Sequence, residues 1–408
     1  MTSKPGVAPV TSRPGRAALT TLPEPPARPV LGHLWSWTAA PLPLLAAGAR
    51  TGPVFRLRLW RPAVVGYTPE WNRAVLTDLG TFRSRGSLSG LTPYLAAGVV
   101  YTDEPGHRAR RHDLSRHFGA RVLAGLGDRL AEVSECHRPD RTFEALGWSG
   151  RLVRHMLNAA LFGGTVPDPL LARFLRPLHH RLPAPLLRRP RLFGRVETAI
   201  AAVLADPPAG SIAAGLAGHP DAVTDLRVAL AAGYDTTSHS LAWAAWHLAA
   251  HQPWREPRAL PLFIDEMLRL YPAGWLGSRV TSRDTSVAGV ALPAGTLVLY
   301  SPYLTHRDPG LWPEPDRVRP ERFESGRPGW SYLPFAAGPR SCLGAHLARL
   351  MLQAALASLS QGPLARVGGN PGIVTGITLR PRGPLYLRAG PRHLRAGPPR
   401  PRSGSRPS

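Results

Sequence analysis

The sequence predicts a mainly α-helical protein with a small β portion, organised around one large domain. Three observations carry that expectation. Apolar residues recur at helical spacing over long stretches, the longest running from 226 to 250. Alternating, strand-like segments are short and confined to the N-terminal and C-terminal thirds. The chain has 408 residues and is 43% hydrophobic, enough to bury a sizeable core.

Residues 1–28 are rich in proline, arginine and small residues and read as a flexible arm, and 389–408 read as a disordered basic tail. The domain between them spans 29–388. "VFRLRLW" (54–60) and "AVVGY" (63–67) alternate like paired strands, and "TPEWNRAVLTDL" (68–79) opens with a threonine cap and an acidic first turn. Helices are also expected at 107–118, 144–162, 168–181, 194–205, 221–250, 260–271 and 343–360. Short strands are expected at 286–291, 296–300, 375–380 and 384–388.

Composition excludes several classes. The formal charge is +24, yet Lys4 is the only lysine among the 50 basic residues. The arginines are scattered, and no zinc-finger, basic-zipper or stacking motif accompanies them, which argues against nucleic acid as a partner. The apolar stretch 34–49 is short and carries two prolines, so no membrane span is expected and a cytoplasmic monomer is the default. The two cysteines, Cys136 and Cys342, lie far apart without metal-type spacing, which argues against a disulfide framework or a structural zinc site.

"FAAGPRSCLGAHLARL" (335–350) gives Cys342 an unusual setting. Gly338 permits a tight turn, Gly344 lets a flat ligand approach the backbone, and a helix start beyond the thiol favours its thiolate form. Phe335 can shield the sulfur, and Arg340 can answer a negative group. A buried structural cysteine is the plain alternative for one thiol. The pattern Phe-x-x-Gly-x-Arg-x-Cys-x-Gly is more specific, and here the chain resembles the cytochrome P450 family of haem-thiolate monooxygenases. The resemblance implies the cytochrome P450 fold. Haem b would lie between the long helix (about 221–250) and the helix after Cys342, with Cys342 as axial iron ligand.

Other motifs stand in the order the family has them. "EMLRLYP" places Glu266 and Arg269 at i and i+3, and "RPERF" supplies Arg322, a trio implied to form a buried network supporting the cysteine loop. In "ALAAGYDTTSHSLAWAAWHLAA" (229–250), polar residues interrupt an apolar helix, from which a local distortion is expected. By resemblance, Asp235 relays protons and Thr236 donates a hydrogen bond at the reaction centre. His107 and Arg111, at i and i+4, join Arg279 and Arg340 as implied partners of the haem propionates.

The resemblance implies O2 activation and insertion of one oxygen atom into a C–H or double bond. Electrons would pass from NAD(P)H through a separate ferredoxin reductase and ferredoxin, docking near Arg108, Arg116 and Arg349. Leu230, Ala231, Ala232, Trp275, Leu276 and Val374, with 85–100 and the turn 372–376, would line an apolar pocket for a hydrophobic small molecule, a terpenoid or another secondary-metabolite intermediate. The link from Thr237 to Glu266 and the region 166–207 are short for the family. A peroxide-using relative and a catalytically inactive haem-binding auxiliary protein are the alternatives. The acid–alcohol pair argues against the first, and the intact set of motif residues against the second.

Overall fold

The computed structural model describes residues 19–88, 92–180 and 184–391, and all structural statements concern these. The N-terminal arm to residue 18, the tail from 392 and residues 89–91 of the expected pocket segment lie outside them. The helices are α1 (Leu34–Ala39), α2 (Pro41–Ala49), α3 (Pro69–Thr77), α4 (Gly106–Ser115), α5 (Ala120–Ala124), α6 (Gly127–Cys136), α7 (Ala145–Phe162), α8 (Asp168–Leu175), α9 (Pro190–Ala205), α10 (Ile212–Leu216), α11 (Ala222–Leu248), α12 (Leu260–Leu270), α13 (Pro302–Thr305) and α14 (Ala345–Leu359). Those that position the site are α4, α7, α11, α12 and α14.

Helix α11 organises the core. Of its 27 residues, 20 are buried, as expected of a helix that is apolar nearly all round. It packs against α7, α9, α12 and α14, and Leu157, Leu226, Leu241, Trp243, Phe263 and Leu356 fill the space between them. The polar run 235–240 does not break it. Thr236 and Ser238 turn their hydroxyls back onto the carbonyls of Ala232 and Tyr234, each at 2.7 Å. These hydroxyls bond carbonyls one turn back in their own helix, and the helix runs unbroken from Ala222 to Leu248.

Strands β1 (Val54–Arg58), β2 (Pro62–Gly66), β3 (Phe82–Arg83), β5 (Gly277–Thr281) and β8 (Leu297–Tyr300) form a sheet in the order β1-β2-β8-β5-β3. All pairs are antiparallel except β2 with β8. Strand β4 (Thr142–Glu144) pairs with β12 (Leu385–Ala389), which also pairs with β9 (Leu364–Gly369).

Two expected strands are hairpins. The segment 286–291 folds as β6 (Thr285–Val287) and β7 (Val290–Leu292), joined by Ala288 and Gly289 at φ 48° and 76°. Two central residues at positive φ make a two-residue turn suited to strand twist. Segment 375–380 instead spans the turn between β10 (Ile373–Thr375) and β11 (Leu379–Pro381). The helix expected over 168–181 ends at Leu175, where a 3-10 turn (Arg176–His179) takes over at Pro177, which has no N–H to continue the ladder.

Candidate active site

The Cys342 loop is held by backbone geometry. Gly338 has φ +69°, and a Cβ there would lie 2.8 Å from the Leu76 carbonyl oxygen. Both the conformation and the close approach require glycine. The Cys342 N–H donates to the Phe335 carbonyl at 2.8 Å, closing the loop. Helix α14 begins at Ala345, with Gly344 as its N-cap, so Cys342 stands two residues outside the cap.

Burial pushes the Cys342 thiol up, while the Gly344 N–H and the Arg111 guanidinium pull it down without overcoming the burial. The helix end alone therefore does not make the thiolate, and a bound metal cation would supply the missing stabilisation. Cys342 nevertheless has accessible surface. Gly344 has an ordinary φ of −86° and no atom within 4 Å of a hypothetical Cβ. Nothing in the protein itself demands glycine there, whereas a flat ligand against the loop would.

Along α11, Ala232, Gly233 and Thr236 remain partly exposed between buried neighbours. Their spacing puts them on one strip of the helix, a strip of small residues with a single hydroxyl. Asp235 points elsewhere. It is buried, accepts a hydrogen bond from Thr378 at 2.9 Å, and lies near His239 and His179. The acid and alcohol therefore sit on different faces of the helix, and burial raises the Asp235 carboxyl above the usual range.

Buried nitrogen donors gather from three elements. His107 on α4, Arg279 on β5 and Arg340 in the cysteine loop each keep a buried ring or guanidinium nitrogen without a hydrogen-bond partner. Arg340 pairs with Asp103 at 2.8 Å, while the Arg279 guanidinium bonds only its neighbour Ser278's carbonyl and stacks over Tyr300. Burial, and next the nearby Arg279 charge, lower Arg340, against the raising effect of Asp103 and Glu104. Buried cations with unused donors fit an anionic ligand group. His107 is held neutral in the protein alone, its pKa lowered to about 4 by burial and by Arg340. Arg111 adds to this cluster, its charge also lowering His107, and it reaches to 3.4 Å of Ser341 Oγ on the Cys342 side.

Behind the loop, Glu266 and Arg269 form a two-bond ion pair at 2.7 and 2.8 Å with no exposed surface. Arg269 also donates to the carbonyls of His306 and Arg317, and Glu266 accepts the Arg319 N–H. Arg322 joins through a longer 3.5 Å charge contact to Glu266 and a hydrogen bond to the Glu314 carbonyl.

The pocket expectations divide. Leu230, Ala231 and Trp275 are packed into hydrophobic core, whereas Ala232, Leu276 and Val374 keep partial exposure. The docking arginines divide too. Arg349 bonds to Asp265 and stacks on Phe335, so it is an internal strut. Arg108 and Arg116 are exposed, with side chains 87% and 66% accessible.

Sequence reasoning missed His179, His239 and Thr378 around Asp235, and His306 beside Arg269. Three of these four come from elements distant in sequence from the residue they meet, so no spacing pattern marks them. His239, one turn beyond Asp235 on the same helix, was visible from spacing alone.

The family model of cytochrome P450 matches residues 259–361, the stretch holding Glu266, Arg269, Arg322 and Cys342. Cyclooctatin synthase of Streptomyces melanosporofaciens is 28% identical, the match covering 88% of this chain and 92% of that protein. Cyclooctat-9-en-7-ol 5-monooxygenase of the same organism is 28% identical over 81% of this chain and 86% of its own. The solved structure of CYP175A1 from Thermus thermophilus superposes with a TM-score of 0.77 at 25% identity, covering 88% of this chain and 97% of that one. Retinoic acid-bound cyanobacterial CYP120A1 gives 0.78 at 22% identity, over 90% of this chain and all of that one.

Proposed function

The chain belongs to the cytochrome P450 family and is a cytochrome P450 monooxygenase, and from that premise we propose that it oxidises a hydrophobic terpenoid with Cys342 as axial ligand of haem b. Bound haem supplies the activation of O2, with one oxygen atom entering the substrate and the other leaving as water. The observation that carries this reading is the pairing of an accessible Cys342 on its glycine loop with buried cations whose donors are unused.

Each residue has a distinct part. Arg279 and Arg340 bind the ligand's carboxylates, with His107 donating a hydrogen bond at the same edge. Arg111 offsets the negative sulfur. Gly344 leaves room for the flat ring, and Phe335 ties the loop through its carbonyl. Glu266, Arg269 and Arg322 hold the loop from behind. Ala232 and Gly233 keep the α11 strip open, and the Thr236 hydroxyl positions a proton there, delivered through Asp235.

The substrate class draws support from a relative named for acting at position 5 of cyclooctat-9-en-7-ol. The apolar Ala232, Leu276 and Val374 agree with a ligand of that kind. Electrons come from NAD(P)H, through a separate ferredoxin and its reductase. No described helix is long and apolar enough to cross a membrane. We test the class by titrating cyclic terpene alcohols and hydrocarbons into the haem-loaded protein, alongside fatty acids and charged peptides. Terpenoids are expected to shift the haem spin state and to gain one oxygen atom on turnover. A shift by fatty acids or peptides alone would contradict the assignment.

A further inference from the structure

Asp235 is enclosed by groups that hold its carboxyl in a defined hydrogen-bonding frame. Its Oδ2 accepts from the Thr378 hydroxyl at 2.9 Å, and Thr378 in turn lies 3.0 Å from His239 Nδ1. That nitrogen also faces the Asp235 carbonyl at 2.9 Å, so it carries the proton. Asp235 Oδ1 is buried without a hydrogen-bond partner; it lies 3.4 Å from His239 Nδ1 and 3.7 Å from His179 Nε2, and that His179 nitrogen is likewise unpartnered. His179 stacks on Tyr234 with ring centroids 4.6 Å apart, and its Nδ1 is 3.5 Å from the Tyr234 hydroxyl. His179 is the one partly exposed member, with 18% of its side chain accessible.

We propose that His179 is the outer station of a proton relay into Asp235, with His239 and Thr378 acting as positioning residues that hold the carboxyl in register. This rests on the reading of Asp235 as the proton-delivering acid. The transfer balances on two atoms: a solvent proton binds His179 Nδ1, and the proton on Nε2 passes to Asp235 Oδ1. His179 is left neutral and Asp235 uncharged. When Asp235 gives up that proton its carboxylate is restored, and return of the imidazole from the Nδ1–H to the Nε2–H tautomer restores the starting state.

Burial disfavours charge at both stations. Burial raises the Asp235 carboxyl. Burial, then His239, His180, Arg380 and Arg154 lower His179 to about 3. Arg154 belongs to α7 and pairs with Asp168 at the start of α8, while Arg380 on β11 donates to the His179 carbonyl at 3.2 Å. With these cations around it, a protonated His179 is short-lived and hands its proton inward rather than storing it.

Two measurements on the haem-loaded protein test this without knowledge of the substrate. In 15N-histidine NMR at pH 7, His179, assigned by its loss in His179→Phe, is expected as the neutral Nε2–H tautomer. A charged ring or the Nδ1–H tautomer would overturn the proposal. In substrate-free turnover with NAD(P)H, ferredoxin and reductase, His179→Phe is expected to slow reductant oxidation about tenfold. It should also raise the solvent isotope effect, while His179→Lys recovers most of the rate. Thr236→Ala should instead raise the share of consumed reductant that ends as peroxide. If Thr236→Ala behaves so and His179→Phe matches wild type, the relay is wrong while the acid–alcohol reading stands. One equivalent of zinc in the purified protein, lost in His179→Phe, would also overturn it, because His179, Asp235 and His239 would then be metal ligands.

Discussion

Glu266 and Arg269, three residues apart on α12, face each other through two hydrogen bonds of 2.7 and 2.8 Å with both side chains fully buried. Such a pair costs desolvation and is retained only when every remaining donor and acceptor is used. Here the carbonyls of His306 and Arg317 and the N–H of Arg319 use them. The pair thus ties α12 to the segment that precedes the cysteine loop. Glu266→Gln leaves the Arg269 charge uncompensated and is expected to cost about 3–5 kcal/mol. The measurement is haem retained per chain after purification, with the thermal midpoint. Wild-type values for both would show that the network does not support the loop.

Gly338→Ala is a smaller change with a local effect. It places a Cβ 2.8 Å from a backbone oxygen at φ +69°, and backbone cannot swing aside as a flexible side chain can. A loss of about 1–3 kcal/mol is expected, seen as weaker haem retention with the helical circular dichroism kept. Gly344→Ala should differ: it meets no protein atom, so it should leave the apoprotein's stability unchanged and weaken haem binding.

His306 makes stability depend on pH. Its Nε2 accepts the Leu333 N–H at 2.7 Å, and its Nδ1–H donates to the Arg269 carbonyl at 3.0 Å, so the ring must stay neutral. Burial, chiefly, lowers its pKa to about 3. Below about pH 6.5 the unfolded chain binds a proton there and the folded chain does not, so stability falls as pH drops, by about 1.4 kcal/mol per unit. His179 and His247, both lowered to about 3, add slope of the same sign. Urea unfolding between pH 5 and 6.5 should give His306→Gln a lower stability with a mean slope shallower by about 1 kcal/mol per unit. Parallel slopes for variant and wild type would exclude this role.

Arg108 and Arg116 are exposed, and the proposed docking of an acidic ferredoxin rests on them. Reversing both to glutamate should lower the second-order rate of haem reduction by ferredoxin several-fold at low salt, with the difference shrinking as salt rises. Arg349→Glu should instead destabilise the fold, because that guanidinium is tied to Asp265. An unchanged reduction rate in the double variant would place docking elsewhere.

Helices were legible where apolar period and caps agreed. The segment 144–162 is helical over Ala145–Phe162, and 260–271 over Leu260–Leu270. The strand estimates failed where a turn hid inside an apolar run, since Val287-Ala288-Gly289-Val290 reads as strand until two positive φ angles are known. The short helices at 34–39 and 41–49 were read only as an apolar stretch, because a proline that starts a helix also looks like one that forbids it. Within the site, motif spacing brought out the Glu266–Arg269 pair. It did not reveal that Asp235 turns away from Thr236 toward His179, since that depends on how a 3-10 turn and β11 pack over α11. Nor did it separate core-packed Leu230 and Ala231 from the partly exposed Ala232, their neighbour on the same helix.

Thiolate ligation by Cys342 is the central claim, and the carbon-monoxide difference spectrum of the reduced, haem-loaded protein tests it most directly. The wild-type chain is expected to give the strongly red-shifted band of a thiolate-bound haem, and Cys342→His a band at shorter wavelength with haem still bound. An unshifted band from intact wild-type protein, or a red-shifted band that survives in Cys342→His, would contradict the assignment.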